Sequence, residues 1–218
     1  MFKELNASSY AHKSIFYNAE FEGVLSKIIA CYHLILKSKI VLPNNENSIR
    51  DHILYTYLKK QWFKNEYQLT DYLFDPELPE NNGRIDIRVI PVNPLINDDA
   101  YFVIECKRLS AQNQMGSSGL NSEYIKEGVC RYISKKYTSY FGVSGMIGLV
   151  VDSIDIKKNV VFINDLLVKS FTESNTTQGL KYYPVVPNFD YSYCSIHSIG
   201  HGNLIIYHLM LDLSKNIK

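Results

Sequence analysis

The sequence predicts an α/β fold: a central mixed β-sheet flanked by helices. Three observations predict it. Residues 20–38 and 44–63 carry apolar side chains at helical spacing. Between Gly83 and Lys107 two short segments read as strands, one alternating and one apolar on both faces. From Ala100 to Val151 a strand, a helix and a strand follow one another, the order of a right-handed crossover within one sheet.

The first helix covers residues 20–38, with Phe21, Val24, Leu25, Ile28, Ile29, Tyr32 and Leu36 as its apolar side. Residues 1–43 thus form an N-terminal helical elaboration packed on a core domain of residues 44–218. Pro43 and an asparagine-rich break end it. Asn44 or Asn45 caps a second helix that runs to about Phe63, with the stripe Ile49, Ile53, Leu54, Tyr57 and Leu58. Glu46 lies on that stripe and points toward the sheet. Asp51 sits at its margin and is the second choice for an inward acid. Against Glu46 as a functional group stands its generic value in a first turn, about 0.3–1 kcal/mol from the positive helix end.

A first strand is expected between Tyr67 and Phe74, then a proline- and asparagine-rich loop over Asp75–Gly83. In Arg84–Val89, alternation puts Ile85, Ile87 and Val89 on one face and Arg84, Asp86 and Arg88 on the other. A loop over Pro91–Asp99 leads to the strand Ala100–Lys107, where Glu105 and Lys107 share a face at the end. Ser110–Gly119, polar and aperiodic, reads as a mobile loop beside the site. A third helix over Ser122 to about Tyr140 buries Ile125, Val129, Tyr132, Ile133 and Tyr140 and exposes Tyr124, Arg131 and Lys135. That exposed side offers phosphate contacts and a stacking ring, or it is a solvated face with a Glu127–Arg131 pair. Met146–Val151 is a buried strand. Val160–Phe171 is helical in part, Thr172–Gly179 is a polar break, and Tyr191–His197 with Leu204–Leu213 forms a C-terminal hairpin extension turning at Gly200–Asn203.

Composition narrows the function classes. A formal charge of +1 gives no general basic field, so affinity for nucleic acid must come from a local patch or a metal. Cys31, Cys106, Cys130 and Cys194 form no Cys-x-x-Cys pair, which disfavours zinc and disulfide frameworks and suits reducing cytoplasm. The apolar-rich run Ile28–Leu36 is too short to span a bilayer, so no membrane role is expected. Ser195, His197 and His208 lack a Gly-x-Ser-x-Gly elbow and a placed acid, and are expected to pack or hydrogen-bond.

Asp86 and the triplet Glu105-Cys106-Lys107 place two carboxylates and an ammonium on adjacent apolar strands. Buried charges persist when paired or when bound to a metal, and two carboxylates suit a hard divalent cation. For a single pair an ordinary cross-strand salt bridge is the simpler reading. Across roughly residues 44–152 this pattern resembles the PD-(D/E)xK, restriction-endonuclease-like nuclease superfamily, with Ile85 where that family often has proline. The resemblance implies a three-layer core and an endonuclease that cleaves nucleic acid, DNA being the expected polymer. It implies Mg2+, with Mn2+ able to substitute, held by Asp86, Glu105, the Cys106 carbonyl and Glu46. Lys107 would act on the attacking water, and Arg84, Arg88, Arg108 and Arg131 are candidates for phosphate contact or for solubilising charge. Restriction or anti-phage defence is the implied setting, with a homodimer or a partner subunit. The competing expectation is a catalytically silent nuclease-like domain that binds nucleic acid or a partner protein, and beyond it a purely structural subunit.

Overall fold

The computed structural model describes residues 13–80, 83–92, 100–134, 137, 139–200 and 202–218. Helices α1 (Lys13–Ser38) and α2 (Glu46–Ile53) come first. A π-helical turn (Leu54–Leu58) extends α2, and α3 (Gln61–Glu66) follows. Strands β1 (Tyr72–Glu80), β2 (Gly83–Pro91) and β3 (Phe102–Leu109) lead to α4 (Leu120–Tyr124), a second π turn (Ile125–Val129) and α5 (Cys130–Ile133). Then come β4 (Val143–Val150), α6 (Ile156–Lys169), a 3-10 turn (Thr172–Ser174), β5 (Thr176–Tyr182), β6 (Ser192–Ile199) and β7 (Gly202–Asp212).

The strands form one mixed sheet in the order β1-β2-β3-β4-β7-β6-β5. β3, β4 and β7 run parallel at its centre, and the outer pairs are antiparallel. The expected α/β fold with flanking helices is therefore present. One apolar cluster joins α1, α2 and α3 to the sheet through Phe21, Ile49, Phe63, Ile104 and Leu209. A second joins α4, α5 and α6 to the other face through Tyr124, Tyr132, Ile163, Val103 and Met210. Helices thus cover both faces, which is why β3 and β4 read as continuous apolar runs. α1 comes close because Gly145 on β4 lacks a side chain. The Phe21 ring lies over that glycine and stacks on Phe102 at a centroid distance of 4.9 Å.

Asn45 is the cap of α2: its side chain accepts from the Ser48 amide at 3.0 Å. The expected stripe Ile49, Ile53, Leu54, Tyr57 and Leu58 is buried throughout. The helix ends earlier than Phe63, breaking at Lys59 and Lys60.

Several boundaries differ from the expectations for physical reasons. β1 continues through Asp75–Glu80, where a loop is expected, because it is an edge strand. Tyr72 pairs with Pro91, which has no N–H to give, so the carbonyls of Tyr72 and Phe74 point away from β2. Pro76 shares that parity, and its missing N–H is not needed in the ladder. Lys64 Nζ and Lys59 Nζ donate to the outward carbonyls of Tyr72 and Phe74 at 2.6 and 2.8 Å. At the opposite edge, only the second half of the polar segment expected to be a break, from Thr176 on, belongs to a strand, β5, whose outer positions need no apolar face. The C-terminal hairpin continues the central sheet, with β7 pairing along β4.

Tyr124, on the expected exposed side of the third helix, faces the sheet instead. Tyr124 is fully buried, and Gly128, having no side chain, lets the helix settle against Met146 Cε. Tyr124 therefore offers no ring for base stacking. Tyr140 is exposed, where a buried position is expected. Lys135, most of the Pro91–Asp99 loop and His201 lie outside the described residues.

Candidate functional site

The ladder between β2 and β3 pairs Val89 with Phe102, Arg88 with Val103 and Ile87 with Ile104. At the next position a side chain takes over: Asp86 Oδ2 accepts from the Cys106 backbone N–H at 2.8 Å. This divergence explains a failed expectation. Ile87 and Val89 belong to the cluster under α1 and α2, whereas Ile85 belongs to the cluster under α4–α6, so the three do not share a face. The splayed strand ends leave a gap at the sheet, and Asp86, Glu105 and Lys107 line it.

Glu46 reaches the same place from the first turn of α2. Its Oε1 accepts from Lys107 Nζ at 3.0 Å and its Oε2 from the Arg108 backbone N–H at 3.1 Å. Lys107 Nζ also donates to Glu105 Oε1 at 2.9 Å and to the Cys106 carbonyl at 2.7 Å, and lies 3.8 Å from Asp86 Oδ2. The four oxygen donors named from the sequence thus converge on one ammonium group. The three carboxylates border a cavity of about 360 Å³ that Asn47, Arg84 and Arg131 also line.

Burial is what makes this cluster chemically unusual. Glu105 is 0% exposed. Burial first, and the Asp86 charge second, push its carboxyl up to about 7, although Lys107 and Arg131 pull the other way. For Lys107, burial alone would lower the ammonium's pKa, but the charges of Glu105, Asp86 and Glu46 together raise it. Lys107 is therefore a donor in this arrangement, and a poor proton acceptor.

Two further residues hold the acids and a third lines the cavity, and sequence reasoning assigned none of them a role. Arg50, 1% exposed, donates to Asp86 Oδ1 at 3.0 Å and is itself held by Asp51 and Asn47. Its signal was a cation on an otherwise apolar stripe. Tyr137 donates to Glu105 Oε2 and to the Arg84 carbonyl, both at 2.9 Å, sharing one proton between them. It follows a helix end, and nothing local marks it. Asn47 adds an amide to the cavity wall.

The remaining named residues separate into groups. Arg131 is at the site, donating to Tyr137 Oη at 2.9 Å, Glu105 Oε1 at 3.3 Å and Glu127 Oε2 at 2.9 Å. Arg84 lines the cavity. Arg108 turns to Asn44 and lines a second cavity of about 350 Å³, at the ends of β3 and β4, with Ser110, Asn113 and Asp152. Arg88 pairs with Asp75 at 2.8 Å and lies over the Tyr101 ring, outside both cavities. Asp51 is occupied with Arg50 and does not reach the carboxylates. The Ser110–Gly119 loop is tied down by bonds from the Asn121 and Gln114 side chains, from Ser122 to the Gly116 carbonyl, and from the Ala111 amide to Asp152.

Ser195, His197 and His208 are fully buried, in a chain that joins Tyr124 to the Ser174 carbonyl. A carbonyl can only accept, so His197 Nδ1 carries a proton. Its Nε2 then accepts from Ser195, whose oxygen accepts from His208 Nε2, and Tyr124 donates to His208 Nδ1. Every group is satisfied in one direction, and burial lowers both imidazole pKa values. The arrangement is neutral and closed to solvent, as hydrogen-bonding roles require.

No family model, curated protein or solved structure matches this chain. Among the described residues, no group of three or more His, Cys, Asp or Glu side chains is assembled that could hold a metal ion. The donor chemistry of the cluster nonetheless suits a hard cation: three carboxylates and a carbonyl, all oxygen.

Proposed function

We propose that this protein is a divalent-cation-dependent nuclease with a restriction-endonuclease-like core, and that it acts on DNA. One observation carries the reading: carboxylates from α2, β2 and β3 meet a lysine at splayed strand ends, beside a cavity also lined by two arginines. Asp86, Glu105, Glu46 and the Cys106 carbonyl would hold Mg2+ or Mn2+. Such an ion, when bound, supplies positive charge to the scissile phosphate and acidifies water. Lys107, as an ammonium, orients the attacking water and donates to oxygens on which charge develops. Arg131 and Arg84 face the cavity and contact nonbridging phosphate oxygens there. Arg50 fixes the Asp86 carboxylate, and Tyr137 fixes that of Glu105.

The test is incubation with single- and double-stranded DNA and RNA in Mg2+ or Mn2+, using Glu105→Ala and Lys107→Ala as controls. Cleavage by the wild type and its loss in both variants is the expected result. Equal products from all three proteins would remove the assignment. A second reading, a catalytically silent domain that binds nucleic acid, is favoured by the cluster's internal pairing: each of the three acids already has a cationic partner in Lys107, Arg131 or Arg50. It predicts binding without cleavage in either metal.

A further inference from the structure

We propose that Lys107 is a built-in cation gate: its ammonium occupies the oxygen cage, and a divalent metal enters only by displacing it. The inference rests on the nuclease reading and concerns how that same site is regulated. All four metal donors lie within 4 Å of Nζ: the Cys106 carbonyl at 2.7 Å, Glu105 at 2.9 Å, Glu46 at 3.0 Å and Asp86 at 3.8 Å. A metal ion and an ammonium sharing that cage would stand only a few ångströms apart with little water between them, where like charges repel strongly.

One partner must therefore move, and the contacts single out the lysine. Arg50 is pinned by Asp51, Asn47 and Asp86, and Arg131 by Glu127, Tyr137 and Glu105. Among the described residues, the hydrogen bonds of Lys107 Nζ all go to oxygens the metal would take, and the ammonium sits on a flexible four-carbon stem. The adjoining cavity gives the displaced ammonium room to swing away from the carboxylates. Metal entry and delivery of the lysine to the substrate's phosphate side are then one event. The metal-free protein keeps its acids neutralised and its lysine withdrawn.

Calorimetric titration with Mn2+ compares wild type with Lys107→Met, which keeps the length of the side chain and removes its charge. The variant is expected to bind Mn2+ about tenfold more tightly or better, a coupling of ordinary size between competing ligands. Equal or weaker binding overturns the gate and leaves the nuclease reading in place. A second measurement needs no variant: reductive methylation of wild-type lysines followed by mass spectrometry. Saturating Mn2+ should speed labelling of Lys107 severalfold, and an unchanged rate overturns the proposal even where Lys107→Met fails to fold. If neither protein binds Mn2+, the gate and the nuclease reading fall together. If the gate behaves as expected and no polynucleotide is cut, the nuclease reading alone falls.

Discussion

The protein contains two buried polar clusters that both use residues common in catalysis. Around Lys107 the groups are charged, their partners come from four chain segments, and the cluster borders a cavity. Around Ser195 they are neutral, each donor meets its acceptor in one direction, and no atom reaches solvent. Seen as a residue inventory, Ser195, His197 and His208 look the more catalytic set. What separates the two is access: the charged cluster opens on a cavity, whereas every member of the neutral chain is sealed from solvent.

This contrast can be broken most directly at Glu105. Glu105→Gln should lower cleavage by about 10³-fold or more while circular dichroism stays native. His208→Leu should leave kcat unchanged. Loss of cleavage in the histidine variant, with Glu105→Gln active, would reverse the two roles. Arg50→Leu leaves Asp86 buried without its arginine, and should cost about 3–5 kcal/mol in urea unfolding. His208→Leu, which orphans neutral donors and acceptors, should cost about 1–3 kcal/mol.

Titration sharpens the difference, because the clusters have opposite signs. Burial lowers the pKa of His197 and His208 below the ordinary 6.5, so their contribution is present above that value and is lost as pH falls toward the folded pKa. Glu105 is raised from 4.5 to about 7, so its contribution is present at low pH and is lost as pH rises through about 7. Urea midpoints between about pH 5 and pH 7 should therefore climb more steeply in Glu105→Gln than in wild type, and less steeply in His208→Gln. The smallest effect is expected at Arg88→Ala. Its partly exposed pair with Asp75 contributes at most about 1 kcal/mol, and cleavage should not change.

The features that could be read from the sequence are those set by near neighbours. Asn45 as a cap, Glu46 turned inward, and Glu105 with Lys107 on one strand face all follow from spacing within a turn or a pleat, and the structure has each of them. Arg50 with Asp86, and Tyr137 with Glu105, join residues far apart in the chain, where no local period carries information. Edge strands were the other blind spot. β1 carries prolines and β5 polar residues because half of their backbone needs no partner within the sheet, so they imitate loops. Tyr124 was misplaced for a third reason: its fate depends on Gly128, whose missing side chain lets the helix approach Met146.

Lys59 and Lys64 have a consequence beyond the site. By seizing the outward carbonyls of Tyr72 and Phe74, they shut the border of the sheet at β1 against strand addition from another molecule. Two copies could not zip edge to edge along β1 without first surrendering both ammonium contacts. Self-association of this protein therefore has to be sought on its helical faces or at the β5 margin, and a continuous sheet across β1 is disfavoured from the start.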